Sequence, residues 1–178
     1  YNGYLWEHWL YLYINNLYFF FIIYWYYKKF YKEIMEFKII EAESSHIEQV
    51  GKLFDLYRQF YEYESNLIES TNYIKDRITN NESIIFIAIN DANEAIGFVQ
   101  LYETFGSLDL GKIIILYDLY VKEDHRKNHI GRKLIIKSHE YAKKINAKRI
   151  QLSTATDNFI GQSLYESLGY VKDIDFYT

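Results

Sequence analysis

The chain of 178 residues has no cysteine, no proline, one methionine and eight glycines. Without cysteine there is no disulfide framework, no thiolate metal site and no thiol nucleophile, a composition that suits a reducing, cytoplasmic setting. Without proline, turns have to be built from Gly, Asn, Asp and Ser. A charge excess of one sign is missing as well. The chain carries 20 Lys and Arg against 24 Asp and Glu, a formal net charge of -4, which argues against a nucleic-acid partner. The acidic residues are scattered, with no paired motif for glycoside or metal chemistry. His8, His46, His125 and His139 have no partner at metal-ligand spacing, so no metal is expected.

Aromatic residues are plentiful but uneven. Residues 1–35 hold nine Tyr, four Phe and all three Trp of the chain. This composition break near residue 35 divides an aromatic-rich extension, 1–35, from a domain over 36–178. An uncharged run, WLYLYINNLYFFFIIYWYY, covers 9–27, and Lys28, Lys29 and Lys32 follow it. As a helix it would nearly cross a hydrocarbon core of about 30 Å, and the positive-inside tendency would leave the following domain in the cytoplasm. Three features oppose that anchor. Asn15 and Asn16 sit in mid-run, where buried amides are costly. Tyr and Trp are spread throughout instead of marking two interfaces. The lone methionine, Met35, directly precedes the first strand of the domain. Met35 therefore reads as the natural start, the extension as lying outside the native domain, and a membrane partner is not expected. The run also lacks the basic lead and small-residue cleavage site of a signal peptide.

Within the domain, Phe37, Ile39 and Ala42 mark a short strand, and Ser45 with Glu48 has the spacing of a capping box. Ile47, Val50, Phe54, Tyr57 and Tyr61 recur at helical spacing and predict a helix over 46–64. A second helix is expected over 71–80. Strands follow at 83–89, 95–104 and 112–121. A helix over 129–145, a strand over 148–154, a helix over 157–168 stopped by Gly169 and a final strand over 170–177 complete the chain. The order β-α-α-β-β-β-α-β-α-β, with hairpin-linked strands first and helix-linked strands later, is that of an α/β fold with a mixed sheet.

The stretch DLYVKEDHRKNHIGRK (118–133) runs from strand through polar turn to helix. Free N–H groups at such a helix start, together with the macrodipole, attract anions. Arg126, Lys127 and Arg132 surround the start with positive charge, and Gly131 lets backbone approach a diphosphate closely. Neither a GKS/GKT P-loop nor a GxGxxG dinucleotide fingerprint is present.

Arg126-x-x-His129-x-Gly131 resembles the Arg/Gln-x-x-Gly-x-Gly/Ala signature of the GNAT superfamily of N-acetyltransferases, with His129 where the family usually has Gly. DLYV resembles the family's fourth strand. Downstream, Asn158, Gly161, Leu164, Tyr165, Gly169 and Tyr170 resemble its Asn-x-x-Ala-x-x-Leu-Tyr-x-x-x-Gly-Phe segment. The resemblance covers 36–178 and implies an acyl-CoA N-acyltransferase fold with a splay between the fourth and fifth strands.

It also implies an activity: transfer of acetyl from acetyl-CoA to a primary amine by direct attack in a ternary complex. The expected acceptor is a small molecule, and a homodimer is an assembly the reading allows. The alternatives are a non-catalytic acyl-CoA-binding module or an enzyme acting on a protein amine. Acetyl-CoA would lie on Leu119, Tyr120 and Val121 of the strand, on 126–132 (Arg126, Lys127, Asn128, His129, Ile130, Gly131 and Arg132) and on Asn158, which also suits a helix N-cap. Tyr165 would be the acid for the leaving thiolate. Asp118 is the first choice of base, with Glu103 or a water chain as rivals. Tyr57, Tyr61, Gln100, Tyr102 and Tyr117 are expected to line the acceptor pocket, where aromatic faces with carboxylates suit a cationic amine.

Overall fold

The computed structural model describes residues 36–174, so the expectations for 1–35 and for the end of the last strand lie outside it. Five strands form one sheet in the order β1-β2-β3-β4-β5. They are β1 (Phe37–Glu41), β2 (Ile84–Asn90), β3 (Ala95–Gly106), β4 (Gly111–Val121) and β5 (Ile150–Gln151). The first four pair antiparallel and β5 joins β4 in parallel, so the sheet is mixed as its order predicts. Four helices flank it: α1 (Ile47–Phe60), α2 (Leu67–Thr79), α3 (Ile130–Lys144) and α4 (Phe159–Glu166). None of the described helices is long and apolar enough to cross a membrane.

One face of the sheet takes α1 and α2. Val50, Leu53 and Ile74 from the helices bury against Ile85, Ile87, Ile89, Ala95 and Phe98 of the strands. On the opposite face Phe86 meets Tyr141 of α3 edge-on, with ring centroids 5.9 Å apart. Leu134 and Ile135 of α3 are fully buried. Apolar residues on both faces explain why β2 reads as an unbroken run and not as an alternation.

With no proline and few glycines, the helix ends fall to other residues. Glu62 (φ 64), Asn81 (φ 52) and Asn146 (φ 56) take the left-handed conformation just past α1, α2 and α3. Around them the amides of Tyr63, Glu82 and Ala147 reach back to the carbonyls of Arg58, Arg77 and Ala142. These are Schellman closures. The first of them ends α1 at Phe60, four residues short of the predicted 64. The expected Ser45–Glu48 capping box is replaced by one over Glu43 and His46, where the Glu43 amide donates to His46 Nδ1 at 3.0 Å. Asn66 caps α2 from its side chain and starts it earlier than predicted.

Two differences from the sequence-based expectation shape the site. The strand predicted over 148–154 shrinks to Ile150–Gln151, paired only with Ile114 and Ile115. Residues 170–174 form no strand, and the rest of the predicted last strand lies outside the described residues. Beyond Ile115, β4 therefore has no described strand beside it on the β5 side. This is the splay that the resemblance implies.

Candidate active site

A β-bulge organises the chemistry of β4. Leu101 faces Leu116 and Gln100 faces Asp118, so Tyr117 is an extra residue in the ladder. The bulge shifts the pleat by one and turns Asp118 onto the face shared by Gln100 and Tyr102. Tyr117 and Tyr102 meet edge-to-face there at 5.6 Å. Past the bulge, the Lys122 amide donates to Ile96 of β3. Main-chain direction alternates along a strand, so Asp118 and Tyr120 also face β3, whereas Leu119 and Val121 point to the open edge. Of the three residues expected to offer backbone groups, Tyr120 is thus engaged inside the sheet. It contributes its ring instead, 6.3 Å from Tyr57. The Val121 carbonyl accepts from Arg126 Nε at 3.1 Å, which leaves the Leu119 amide and carbonyl and the Val121 amide on the open edge.

Asp118 is only 4% exposed. Burial pushes its carboxyl up to about 6, opposed by a hydrogen bond donated from the Tyr57 hydroxyl. The Tyr57 phenol is itself pushed well above the ordinary range, first by burial and then by the Asp118 charge, with Tyr61 and Tyr165 adding to it. The predicted acid, base and two pocket aromatics therefore share one electrostatic neighbourhood with Tyr57 at its centre. Glu103, the rival base, is placed elsewhere. It ion-pairs with Lys112 at 2.7 Å and accepts from Tyr141 of α3, and these partners hold its carboxyl below the usual range.

The turn after β4 carries a single 3-10 turn, Glu123–His125, and then Lys127 (φ 64) and His129 (φ 60) in the left-handed region. That conformation explains why glycine is usual where this chain has His129. His129 is also the N-cap of α3, and its side chain makes no cap hydrogen bond. The amides of Ile130, Gly131 and Arg132 have no partner inside the helix and form the anion-seeking end. A Cβ built on Gly131 would lie 3.4 Å from Leu164 of α4, so α4 flanks the same spot.

The side chains here are mostly engaged within the protein. The Arg126 guanidinium lies over Phe60 and Tyr120, 5.5 and 5.7 Å from their centroids. Asn128 donates to the His125 carbonyl at 3.1 Å. Ile130 is a core residue. Arg132 donates to Ser167 Oγ at 2.9 Å and ties α3 to the end of α4, a role its place in the sequence does not suggest. Asn158 caps α4 by accepting from the Gly161 amide at 3.0 Å while donating to Thr154. The cap role noted in the sequence is the one observed.

Tyr165 packs edge-on against Tyr170 at 5.9 Å. Burial and, less, Tyr61 push its phenol up to about 12. Tyr61 stands 5.2 Å from Tyr57, edge-on. Two residues of the site went unread in the sequence. The Tyr73 hydroxyl meets that of Tyr102 at 2.7 Å. Asp55 accepts from Gln59, Ser65, Ser70 and the Asn66 amide, fixing the turn that follows Tyr61. Asp55 could have been found as a carboxylate set inside the apolar stripe of α1. Tyr73 carries no such signal.

The chain as a whole is similar to known proteins. Residues 50–170 match the model of the acetyltransferase (GNAT) family. An uncharacterized N-acetyltransferase of Bacillus subtilis (strain 168), YhfO, is 38% identical over 138 residues, covering 78% of this chain and 92% of its own. The crystal structure of a probable acetyltransferase, 34% identical, matches with a TM-score of 0.75 over 79% of this chain and 94% of its own. The aminoglycoside N-acetyltransferase AAC(6')-Iy, solved in complex with CoA, shares the fold at 17% identity, with a TM-score of 0.66 over 81% of this chain and 95% of its own. The chain belongs to the GNAT family and is an N-acetyltransferase.

Proposed function

We propose that the protein acetylates a primary amine of a small molecule with acetyl-CoA as donor. The observation that carries this reading is Asp118, a buried carboxylate raised to about 6, beside a strand edge left open by the short β5. A base works best when its pKa lies near the working pH.

The residues fit acetyl-CoA. The uncapped start of α3 offers amides for a diphosphate, with Lys127 as a mobile cation beside it. The Leu119 and Val121 amides offer strand-like bonds to an extended chain bearing its own amides. The aminoglycoside acetyltransferase of the same fold holds CoA. When bound, acetyl-CoA supplies the acetyl group as a thioester. The chain's residues do the rest. Asp118 takes one proton from the attacking amine as the C–N bond forms. An open-edge amide donates to the carbonyl oxygen. Tyr165 donates toward the sulfur as the C–S bond breaks. The thiolate of an ordinary thiol of pKa about 8.5 is a weaker base than a phenolate whose phenol lies at about 12, so full proton transfer from Tyr165 is uphill by about 5 kcal/mol. Its contribution is a hydrogen bond that tightens as the thiolate departs.

CoA release measured over spermidine, lysine, phenethylamine, kanamycin and a lysine-containing peptide tests the proposal. Turnover with at least one small amine, and little with the peptide, is expected. Acetyl-CoA binding with no release for any of these acceptors would overturn it.

A further inference from the structure

Gln100 is completely buried, yet no described donor reaches its Oε1. Buried polar atoms without a partner are rare in folded proteins and call for an explanation. The described hydrogen bonds of its neighbours go elsewhere. Gln100 Nε2 donates to the Tyr102 hydroxyl, which also meets Tyr73. Directly opposite Gln100 in the ladder stands Asp118, with Cβ atoms about 5 Å away by the geometry of such pairs. Two acceptors, one amide oxygen and one carboxylate, therefore share one face, and no described donor reaches the amide oxygen. Tyr102 and Tyr117 stand beside them, and Tyr117 is 65% exposed, on the way to solvent.

A ligand group that reaches both oxygens at once brings two N–H bonds of its own. The geometry points to Gln100 as the residue that orients the acceptor nitrogen: Oε1 accepts one N–H while Asp118 accepts the other. This rests on the function proposed above and deepens it, because it selects primary amines. A primary amine serves both acceptors and keeps its lone pair for the thioester carbon. A secondary amine has one N–H, so it reaches only one of the two oxygens. Sites built to hydrogen-bond a substrate discriminate strongly against analogues that lack the donor.

The test uses the full chain and a Gln100→Met variant. It compares phenethylamine with N-methylphenethylamine, or the corresponding pair for whichever amine of the panel turns over fastest. Losing a buried hydrogen bond to substrate predicts a fall of roughly 10- to 100-fold in kcat/KM for the primary amine, a clearly smaller fall for its N-methyl partner, and unchanged acetyl-CoA affinity. Thermal stability should hold, since Met removes an unsatisfied acceptor and Tyr102 keeps Tyr73. A Gln100→Glu variant, which retains the acceptor, should keep the preference for the primary amine. Unchanged kcat/KM in the Met variant overturns the inference. So does an equal loss for both amines, or a loss that comes with a lower melting midpoint, which would give Gln100 a packing role. If the parent chain turns over no amine at all, the functional reading itself fails, and that outcome is distinct from the others.

Discussion

Replacing Asp118 by Asn should stabilise the protein at neutral pH while removing most of its activity. The carboxyl has an ordinary value of 3.8 and rises to about 6 in the fold because it is buried. A tenfold change in proton affinity corresponds to about 1.36 kcal/mol, so this rise amounts to about 3 kcal/mol. The folded state binds the proton more tightly than the unfolded state. Between pH 3.8 and 6 the unfolded chain ionises first, so stability falls as pH rises through this window and stays level above it. Asn carries no charge and escapes that loss. The variant's advantage over the parent should therefore grow by about 3 kcal/mol between about pH 3.5 and about pH 7.5. Urea unfolding of both proteins at a series of pH values measures it directly, because shared titrations cancel in the difference. In parallel, kcat/KM corrected for the neutral amine fraction should rise through about pH 6 in the parent, and the variant should lose about 10²-fold or more. A stability difference that does not change with pH would refute the claim that burial disfavours the Asp118 anion.

Other substitutions have their own expected outcomes. His129→Gly removes a side chain from the left-handed region (φ 60), so it should raise stability by up to about 1 kcal/mol in denaturant titration; a clear loss would show that the imidazole holds the turn. Gly131→Ala should keep the melting midpoint, because its Cβ meets Leu164 at an ordinary 3.4 Å. Gly131→Val should weaken acetyl-CoA by more than about tenfold in calorimetric titration and Lys127→Ala only modestly, and parental affinity in the Val variant would argue against an anion site at α3. Tyr165→Phe keeps the ring against Tyr170 and should lower kcat by about 10²-fold at unchanged acetyl-CoA affinity; an unaltered rate, measured where chemistry is limiting, would make it a packing residue.

Local signals carried much of this protein. The hydrophobic period of α1, the β-branched runs of β2 and β4 and the strand–turn–helix at 118–133 fix element type within a few residues, because each depends on neighbours along the chain. The boundaries missed are those set from elsewhere. The α1 end at Phe60 is closed by Glu62 in a left-handed conformation that helical periodicity does not report. The start of α2 is fixed by Asn66, whose amide is held by Asp55 from α1. At the site, the sequence nominated Tyr165 as acid and put Asp118 first as base, with Glu103 among its rivals. That choice depends on which face of the sheet each carboxylate occupies.

The sequence by itself determined the order of elements, the basic turn before α3 and the residue types available for proton transfer. Those follow from composition and spacing. The tertiary structure decided the rest through pairing register. One extra residue at Tyr117 turns Asp118 toward Gln100 and Tyr57. A β5 of two residues leaves the Leu119 and Val121 amides with no described strand beside them, and Arg132 is drawn away from the turn to Ser167. A register is a relation between segments distant along the chain. Shifting it by one residue moves every side chain to the other face, so only the folded sheet settles which carboxylate is buried among phenols and which is paired on the far side.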